Sequence, residues 1–143
     1  MRYMMMVKAG GNYETGAPPD TRLIAAIGKH AEDMTRAGVL LETGGLLPSS
    51  QGARVRAAGG KLTVTDGPFV ESKELIGGYA ILQASSKEEA IELGKIFMKI
   101  HVDVLGPSYE GELEIRQMFD PSDHGLGCAK HESEAVPHSA AIT

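Results

Sequence analysis

The sequence places an aspartate suited to proton chemistry in a short Asp-Gly-Pro-Phe segment, residues 66–69. An aspartate at a strand end can accept backbone amide bonds, while Gly67 and Pro68 bend the chain beside it. A structural turn accounts for Gly67, Pro68 and Phe69. Asp66 is equally suited to open into a cleft, where the pKa of its carboxyl group could be tuned for proton transfer.

Glu71 and Lys73 follow this segment and are two residues apart. In an extended chain both side chains point the same way, so they can pair with each other or position a ligand. A solvated pair of this kind contributes only about 0 to 1 kcal/mol, so stability alone does not require it. Tyr79 could line an apolar pocket together with nearby methionines. We therefore take Glu71, Lys73, Phe69 and Tyr79 as candidate ligand-binding residues.

Two histidines are candidate catalytic partners for Asp66. His30 lies in the apolar stripe of a predicted helix, where an imidazole needs a hydrogen-bond partner and a core role is favoured over catalysis. His101, followed by Asp103, lies near the end of another predicted helix, where the dipole favours a charged imidazole and a capping role is equally compatible. If the loop around Gly106 folds back over the cleft, His101 could act as acid or base with Asp66.

The chain carries no motif for a metal or a nucleotide. Cys128 and the histidines at 124, 131 and 138 have the chemistry of zinc ligands, but their spacing matches no compact site. The glycine pairs at 10–11 and 59–60 lack the strand-to-helix context of a phosphate loop. We therefore predict neither a metal nor a cofactor.

Composition narrows the class of protein. With 143 residues, of which 42% are hydrophobic, the chain can bury one ordinary core but not two. The formal net charge of -5 argues against a nucleic-acid partner. A single cysteine is typical of a reducing, cytoplasmic setting, and the apolar run 4–7 is too short for a signal peptide or a membrane span.

Hydrophobic periodicity and turn residues predict six strands and two helices. Asp20 and Ser86 are the predicted N-caps of the helices, and Gly38 ends the first of them. The glycine pair 59–60 predicts a two-residue hairpin turn. Beyond residue 119 the periodicity stops, so we predict one domain over 1–119 and a mobile tail over 120–143. The predicted strands are 2–8, 39–41, 54–56, 62–65, 77–84 and 112–119.

This order of elements is two βαβ-like halves joined by an inserted hairpin, a ferredoxin-like α+β arrangement. Both helices must cover one face of an antiparallel sheet, so the other face needs a cover of its own. A second copy of the chain is the simplest cover. Two such sheets packed face to face would form a dimeric α+β barrel with a cleft between sheet and loops.

The segment 64–74, which has the sequence VTDGPFVESKE and is followed by Gly-Gly-Tyr at 77–79, resembles the signature of the DGPF branch of YCII-related proteins. The resemblance extends from residue 3 to about residue 119. It implies a ferredoxin-like fold and a dimeric α+β barrel. It also implies the catalytic histidine and aspartate suggested for the wider family, although no motif in this sequence decides which histidine that is.

Two functions of different class follow from these residues. The first is a small enzyme that moves a proton on a small organic acid or ketone, with Asp66 as acid or base and His101 or His30 assisting. The second is a non-catalytic ligand-binding or regulatory dimer whose cleft holds a metabolite. Geometry separates them, because catalysis predicts a histidine within hydrogen-bond reach of Asp66, directly or through a water, and binding does not.

Overall fold

Strands and helices follow one another along the chain in the order that its hydrophobic pattern predicts. The computed structural model describes residues 1–10, 14, 16–70 and 74–120. The predicted tail therefore lies outside the described residues, except for Asp120. A 3-10 turn, Ser49–Gln51, precedes the third strand. The elements are β1 (Arg2–Lys8), α1 (Thr21–Arg36), β2 (Leu40–Gly45), β3 (Ala53–Ala58), β4 (Lys61–Asp66), β5 (Ile76–Gln83), α2 (Lys87–Leu105) and β6 (Leu113–Gln117).

Four of the strands form one antiparallel sheet in the order β2-β5-β1-β6. Tyr3 of β1 pairs with Leu82 of β5 on one side and with Gln117 of β6 on the other, so β1 lies inside the sheet. The prediction of an α+β chain with an antiparallel sheet and two helices is confirmed. The strand order is consistent with a ferredoxin-like fold.

Both helices begin at the residues predicted to cap them. The Asp20 carboxylate accepts hydrogen bonds from the backbone N–H groups of Arg22 at 2.8 Å and Leu23 at 3.4 Å. The Ser86 hydroxyl accepts from the N–H of Glu89 at 3.1 Å. In return, the Glu89 carboxylate accepts from the N–H and the hydroxyl of Ser85. Each cap provides an acceptor for backbone N–H groups of the first helical turn that have no partner inside the helix. It stabilises the folded protein by about 1 kcal/mol.

The two helices pack on the same face of the sheet, which we call the helix face. Its small core combines Tyr3, Ala84 and Ala90 with the partly buried Leu93 and Ile115. The alternation of β1 directs Tyr3 and Met5 toward the helices and Met4 and Met6 to the opposite side. No residue of α1 is buried, so this helix covers the sheet less completely than α2 does.

The strands β3 and β4 form a hairpin that is separate from the four-stranded sheet. The predicted turn is confirmed, with Gly59 and Gly60 at φ values of 59° and 77°, a region that residues with a side chain adopt only at a cost. Every residue of both strands is exposed. The hairpin therefore projects from the domain instead of contributing to its core.

Gly94 allows close packing of α2 on β6, and its replacement tests this contact. A Cβ atom at Gly94 would lie 2.8 Å from Cδ1 of Ile115 and 3.0 Å from Cδ2 of Leu113. We expect Gly94→Leu to lower the free energy of unfolding by about 1–3 kcal/mol in a urea titration, because the added atoms overpack the core. Gly28→Leu is the matched control on α1, where a Cβ meets nothing within 4 Å. It should leave stability unchanged or raise it by up to ~1 kcal/mol, and equal destabilisation by both variants would contradict the packing argument.

Candidate functional site

The face of the sheet opposite the helices, which we call the open face, has an apolar centre and a charged border. The register aligns Met6 of β1 with Tyr79 of β5 and with Glu114 of β6, so these side chains share one side of the sheet. Met4 aligns in the same way with Ile81, and Ile81 with Glu42. The centre consists of the half-buried Met4, Met6, Tyr79 and Ile81, and the border of Lys8, Glu42, Glu114 and Arg116.

Tyr79 and Glu42 form a hydrogen-bonded pair on this face. The Tyr79 hydroxyl donates to Oε2 of Glu42 at 3.1 Å. The ring lies against the backbone of Gly44, where a Cβ would sit only 2.9 Å from Cε1 of Tyr79, so a larger residue would displace it. The hydrogen bond to Glu42 and the negative charge of its carboxylate raise the pKa of Tyr79. The phenol therefore keeps its proton, and its oxygen retains lone pairs that can accept from a ligand.

Lys8 lies at the end of β1 between two carboxylates. Its ammonium nitrogen is 3.2 Å from Glu114 and 3.3 Å from Glu74, and its side chain is only 13% exposed. Hydrogen bonds to Glu114 and then to Glu74 raise the pKa of Lys8, so the group stays charged. Arg116 adds a looser contact to Glu114 at 3.9 Å. Lys8 is thus a fixed cation whose charge is already balanced, and it orders the border of the open face.

The predicted site residues Asp66 and Phe69 lie at the base of the hairpin. Asp66 ends β4, pairs with Ala53 in the ladder and is exposed. The Phe69 N–H donates to the Ser49 hydroxyl at 3.0 Å, and the guanidinium of Arg54 lies 3.9 Å from the centre of the Phe69 ring. Phe69 therefore connects β3 of the hairpin to the 3-10 turn Ser49–Gln51. Glu71 and Lys73, predicted as ligand-binding residues, lie outside the described residues.

The two predicted histidines lie on the helix side of the sheet. His101 is buried, its Nδ1 is 3.0 Å from the carbonyl oxygen of Phe97, and its ring stacks on Tyr109 with centroids 5.2 Å apart. His30 is half-buried and lines an apolar cavity of about 60 Å³ beneath α1, together with Met34. Within the described residues, no hydrogen bond or ion pair joins Asp66 to either histidine. The pairing of Asp66 with a histidine therefore stays a prediction.

Tyr79 was predicted from the sequence as a site residue, but the charged groups around it were not. Lys8 could have been found, because it continues the alternation of Met4 and Met6 along β1. Glu42 was hidden because β2 was predicted to end at residue 41, whereas the strand continues to Gly45. A longer second strand would have placed Glu42 beside the strand that carries Tyr79.

Among residues 1–10, 14, 16–70 and 74–120, no group of three or more histidine, cysteine, aspartate or glutamate side chains is placed to hold a metal ion. In the same part of the chain, neither helix combines the length and the apolar character that crossing a bilayer requires.

These features define a small α+β protein with helices on one side of an antiparallel sheet and a polar-bordered apolar face on the other. Residues 1–96 match the YCII-related domain, and the chain therefore belongs to the YCII-related family. It is also similar to an uncharacterized protein of Rhizobium meliloti (strain 1021), with 29% identity over 76 residues. That match covers 53% of this chain and 61% of the relative, so it spans less than two thirds of the relative's length.

The influence of Glu42 on Tyr79 can be measured by titration. In the wild-type protein we expect Tyr79 to lose its proton only above the ordinary pKa of tyrosine, because the phenolate would face the Glu42 carboxylate. Glu42→Gln removes that charge and should lower the pKa of Tyr79 toward its ordinary value. NMR of tyrosines labelled at the ring carbon that bears oxygen resolves this group. Glu32→Gln on α1 is the control, and an unchanged pKa in Glu42→Gln would refute the assignment.

Proposed function

We propose that this protein works as a homodimer in which two open faces meet, and that the cleft between them binds a small organic metabolite and acts on it by acid–base chemistry. The hydrogen bond between Tyr79 and Glu42 supports this proposal most directly, because it places a proton donor and a carboxylate beside the apolar centre of the open face. Membership of the YCII-related family is compatible with it. The Asp-Gly-Pro-Phe segment supports assignment to the DGPF branch, and the single cysteine supports a cytoplasmic location.

The apolar centre of the open face supports the dimer. Met4, Met6 and Ile81 form a continuous strip across β1 and β5, and the two helices already cover the other side of these strands. A sheet with one covered face gains by burying the apolar part of its second face. A second copy brings the same strip, so a two-fold arrangement covers both surfaces at once and encloses the polar pair between them.

The Tyr79–Glu42 pair supports proton transfer by a simple route. A ligand hydroxyl donates to the Tyr79 oxygen; its proton moves to that oxygen while the Tyr79 proton moves to the Glu42 carboxylate. The ligand becomes an anion and Glu42 becomes neutral, so charge and protons balance. Excluding water by the second copy strengthens these interactions, because the local dielectric constant falls. Met4, Met6 and Ile81 would hold the apolar body of the ligand.

A second candidate function is binding without catalysis. Asp66 is exposed, and within the described residues no hydrogen bond or ion pair joins it to His30 or His101, which favours this alternative. In that case the Tyr79–Glu42 pair orients the ligand, and Glu71, Lys73 and Phe69 position it or brace the loop.

The proposed dimer can be tested with one substitution on each side of the sheet. We expect wild-type protein to be dimeric at micromolar concentration in analytical ultracentrifugation. Ile81→Lys should weaken the dimer by about tenfold or more, because a charge replaces an apolar group at the proposed interface. Ile24→Lys is the control, since Ile24 on α1 is already 53% exposed. A monomeric wild-type protein would exclude the proposed cleft.

The chemistry can be tested with substitutions that remove only a hydroxyl group. A panel of small organic acids and ketones is screened for turnover and, by calorimetry, for binding. Tyr79→Phe should reduce turnover by about 10²- to 10⁴-fold, the usual contribution of a positioned acid or base. Tyr3→Phe is the control, because Tyr3 lies on the neighbouring strand and points to the helix face.

The same screen separates the two candidate functions. Binding without turnover, weakened about two- to tenfold by Tyr79→Phe, would indicate a ligand-binding protein. Turnover that Tyr79→Phe leaves unchanged would show that the acid–base group lies elsewhere.

A further inference from the structure

The cavity beneath α1 is large enough to hold a small molecule. Its volume is about 60 Å³, and its wall is formed by α1, α2 and the strands β1, β2 and β5. A single water needs roughly 10–15 Å³ of such space, so the cavity has room for about four to six groups of that size. This space corresponds to one aromatic ring with a small substituent.

The wall of the cavity is almost entirely apolar. Among the described side chains that line it there is no carboxylate, ammonium or guanidinium group, and only His30 and Thr43 are polar. The Thr43 hydroxyl already donates to the carbonyl oxygen of Tyr79 at 3.0 Å. A trapped water needs about two to four polar partners, and a charged group would lose its hydration without compensation. The cavity therefore favours a neutral, mainly apolar occupant.

His30 is the polar side chain at this wall that remains available to an occupant. Its ring is half-buried, and within the described part of the chain no hydrogen bond or ion pair involves it. The ring nitrogens of an imidazole donate or accept hydrogen bonds, so His30 can pair with one hydroxyl group. Phe97 adds an aromatic surface on which a second ring can pack. These two side chains together suit a hydroxylated aromatic ring.

The helix above the cavity can separate from the sheet to admit such a molecule. No residue of α1 is buried, and segments with few buried contacts open locally at low cost. Met5 and Met34 at the wall have unbranched side chains that adapt to irregular shapes. Entry therefore requires local opening and not unfolding of the domain.

We propose that the cavity beneath α1 is a second ligand site, which binds a neutral phenol-class molecule through apolar contacts and one hydrogen bond to His30. Ala80 and Leu82 of β5 line it, whereas Tyr79 and Ile81 alternate with them and face the opposite side of the sheet. The site is formed within one copy of the chain. It therefore depends neither on the proposed dimer nor on the proposed acid–base chemistry of the open face.

Methionine methyl groups report on both faces of the sheet in one experiment. Phenol is titrated into the full-length protein, isotopically labelled at these methyl groups, and followed by NMR. We expect saturable shifts of Met5 and Met34, with a dissociation constant of about 1 mM or below. Met4 and Met6 on the open face are internal controls that should shift much less. Shifts confined to Met4 and Met6, or no saturable shift up to roughly 10 mM, would overturn the proposal.

Filling the cavity tests its position. Ala31→Leu adds atoms at the wall and should weaken phenol binding by about tenfold or more. Ala25→Leu makes the same change at an exposed position of α1 and should keep the dissociation constant within about twofold of wild type. If Ala31→Leu fails to fold by circular dichroism, Ala80→Val fills part of the cavity from β5, where a β-branched residue suits the strand. It should weaken binding by about threefold or more, and unchanged binding in the folded variant would overturn the proposal.

The hydrogen bond to His30 is tested by comparing phenol with toluene, which lacks the hydroxyl group. His30→Phe keeps a ring at the wall but removes its nitrogens. It should weaken phenol binding by about two- to tenfold and leave toluene binding within about twofold. An equal loss for both compounds would contradict the assignment to His30.

The open face provides a control that separates the two proposals. Tyr79→Phe should leave phenol binding in the cavity within about twofold of wild type, because its hydroxyl lies on the other side of the sheet. Loss of phenol binding in this variant would overturn the second site and assign the phenol to the open face. Turnover on the open face and phenol binding beneath α1 can therefore fail independently.

Discussion

A sheet has two faces, and the two helices α1 and α2 both lie on the same face of this one. The organisation of the molecule follows from that constraint. The helix face holds the small core around Tyr3, Ala84 and Ala90. The open face keeps Met4, Met6 and Ile81 half-buried and surrounds them with charged groups. Apolar surface therefore lies where polar groups also converge, which is the usual composition of a ligand site.

The polar groups of the open face restrain one another. Glu42 keeps the Tyr79 phenol protonated, and Glu114 with Glu74 keeps Lys8 charged. Each group is thus held in one protonation state by a neighbour of opposite or like charge. Such fixed dipoles and charges need little reorganisation when a ligand arrives, because the protein has already oriented them. The open face therefore combines an apolar platform with polar groups of defined protonation state.

Most of the fold could be predicted from local signals, because each element has its own. Asp20 and Ser86 cap the helices, and the pair Gly59-Gly60 turns the hairpin. The site was harder to predict, since it depends on register between strands distant in sequence. Nothing local indicates that Glu42 reaches Tyr79 across 37 residues, or that Lys8 reaches Glu74 across 66. The pairing of Asp66 with a histidine was inferred from residue type alone, and it stays a prediction because no hydrogen bond or ion pair joins these side chains among the described residues.

The cavity beneath α1 also affects how easily this helix separates from the sheet. This helix has no buried residue and lies over a void of about 60 Å³, whereas α2 buries Ala90, Gly94 and His101. Separating α1 from the sheet therefore exposes less apolar surface than separating α2. We therefore expect α1 to form a smaller unit that opens while α2 and the central strands stay native. Local opening of this kind would expose the half-buried His30 fully to solvent without global unfolding.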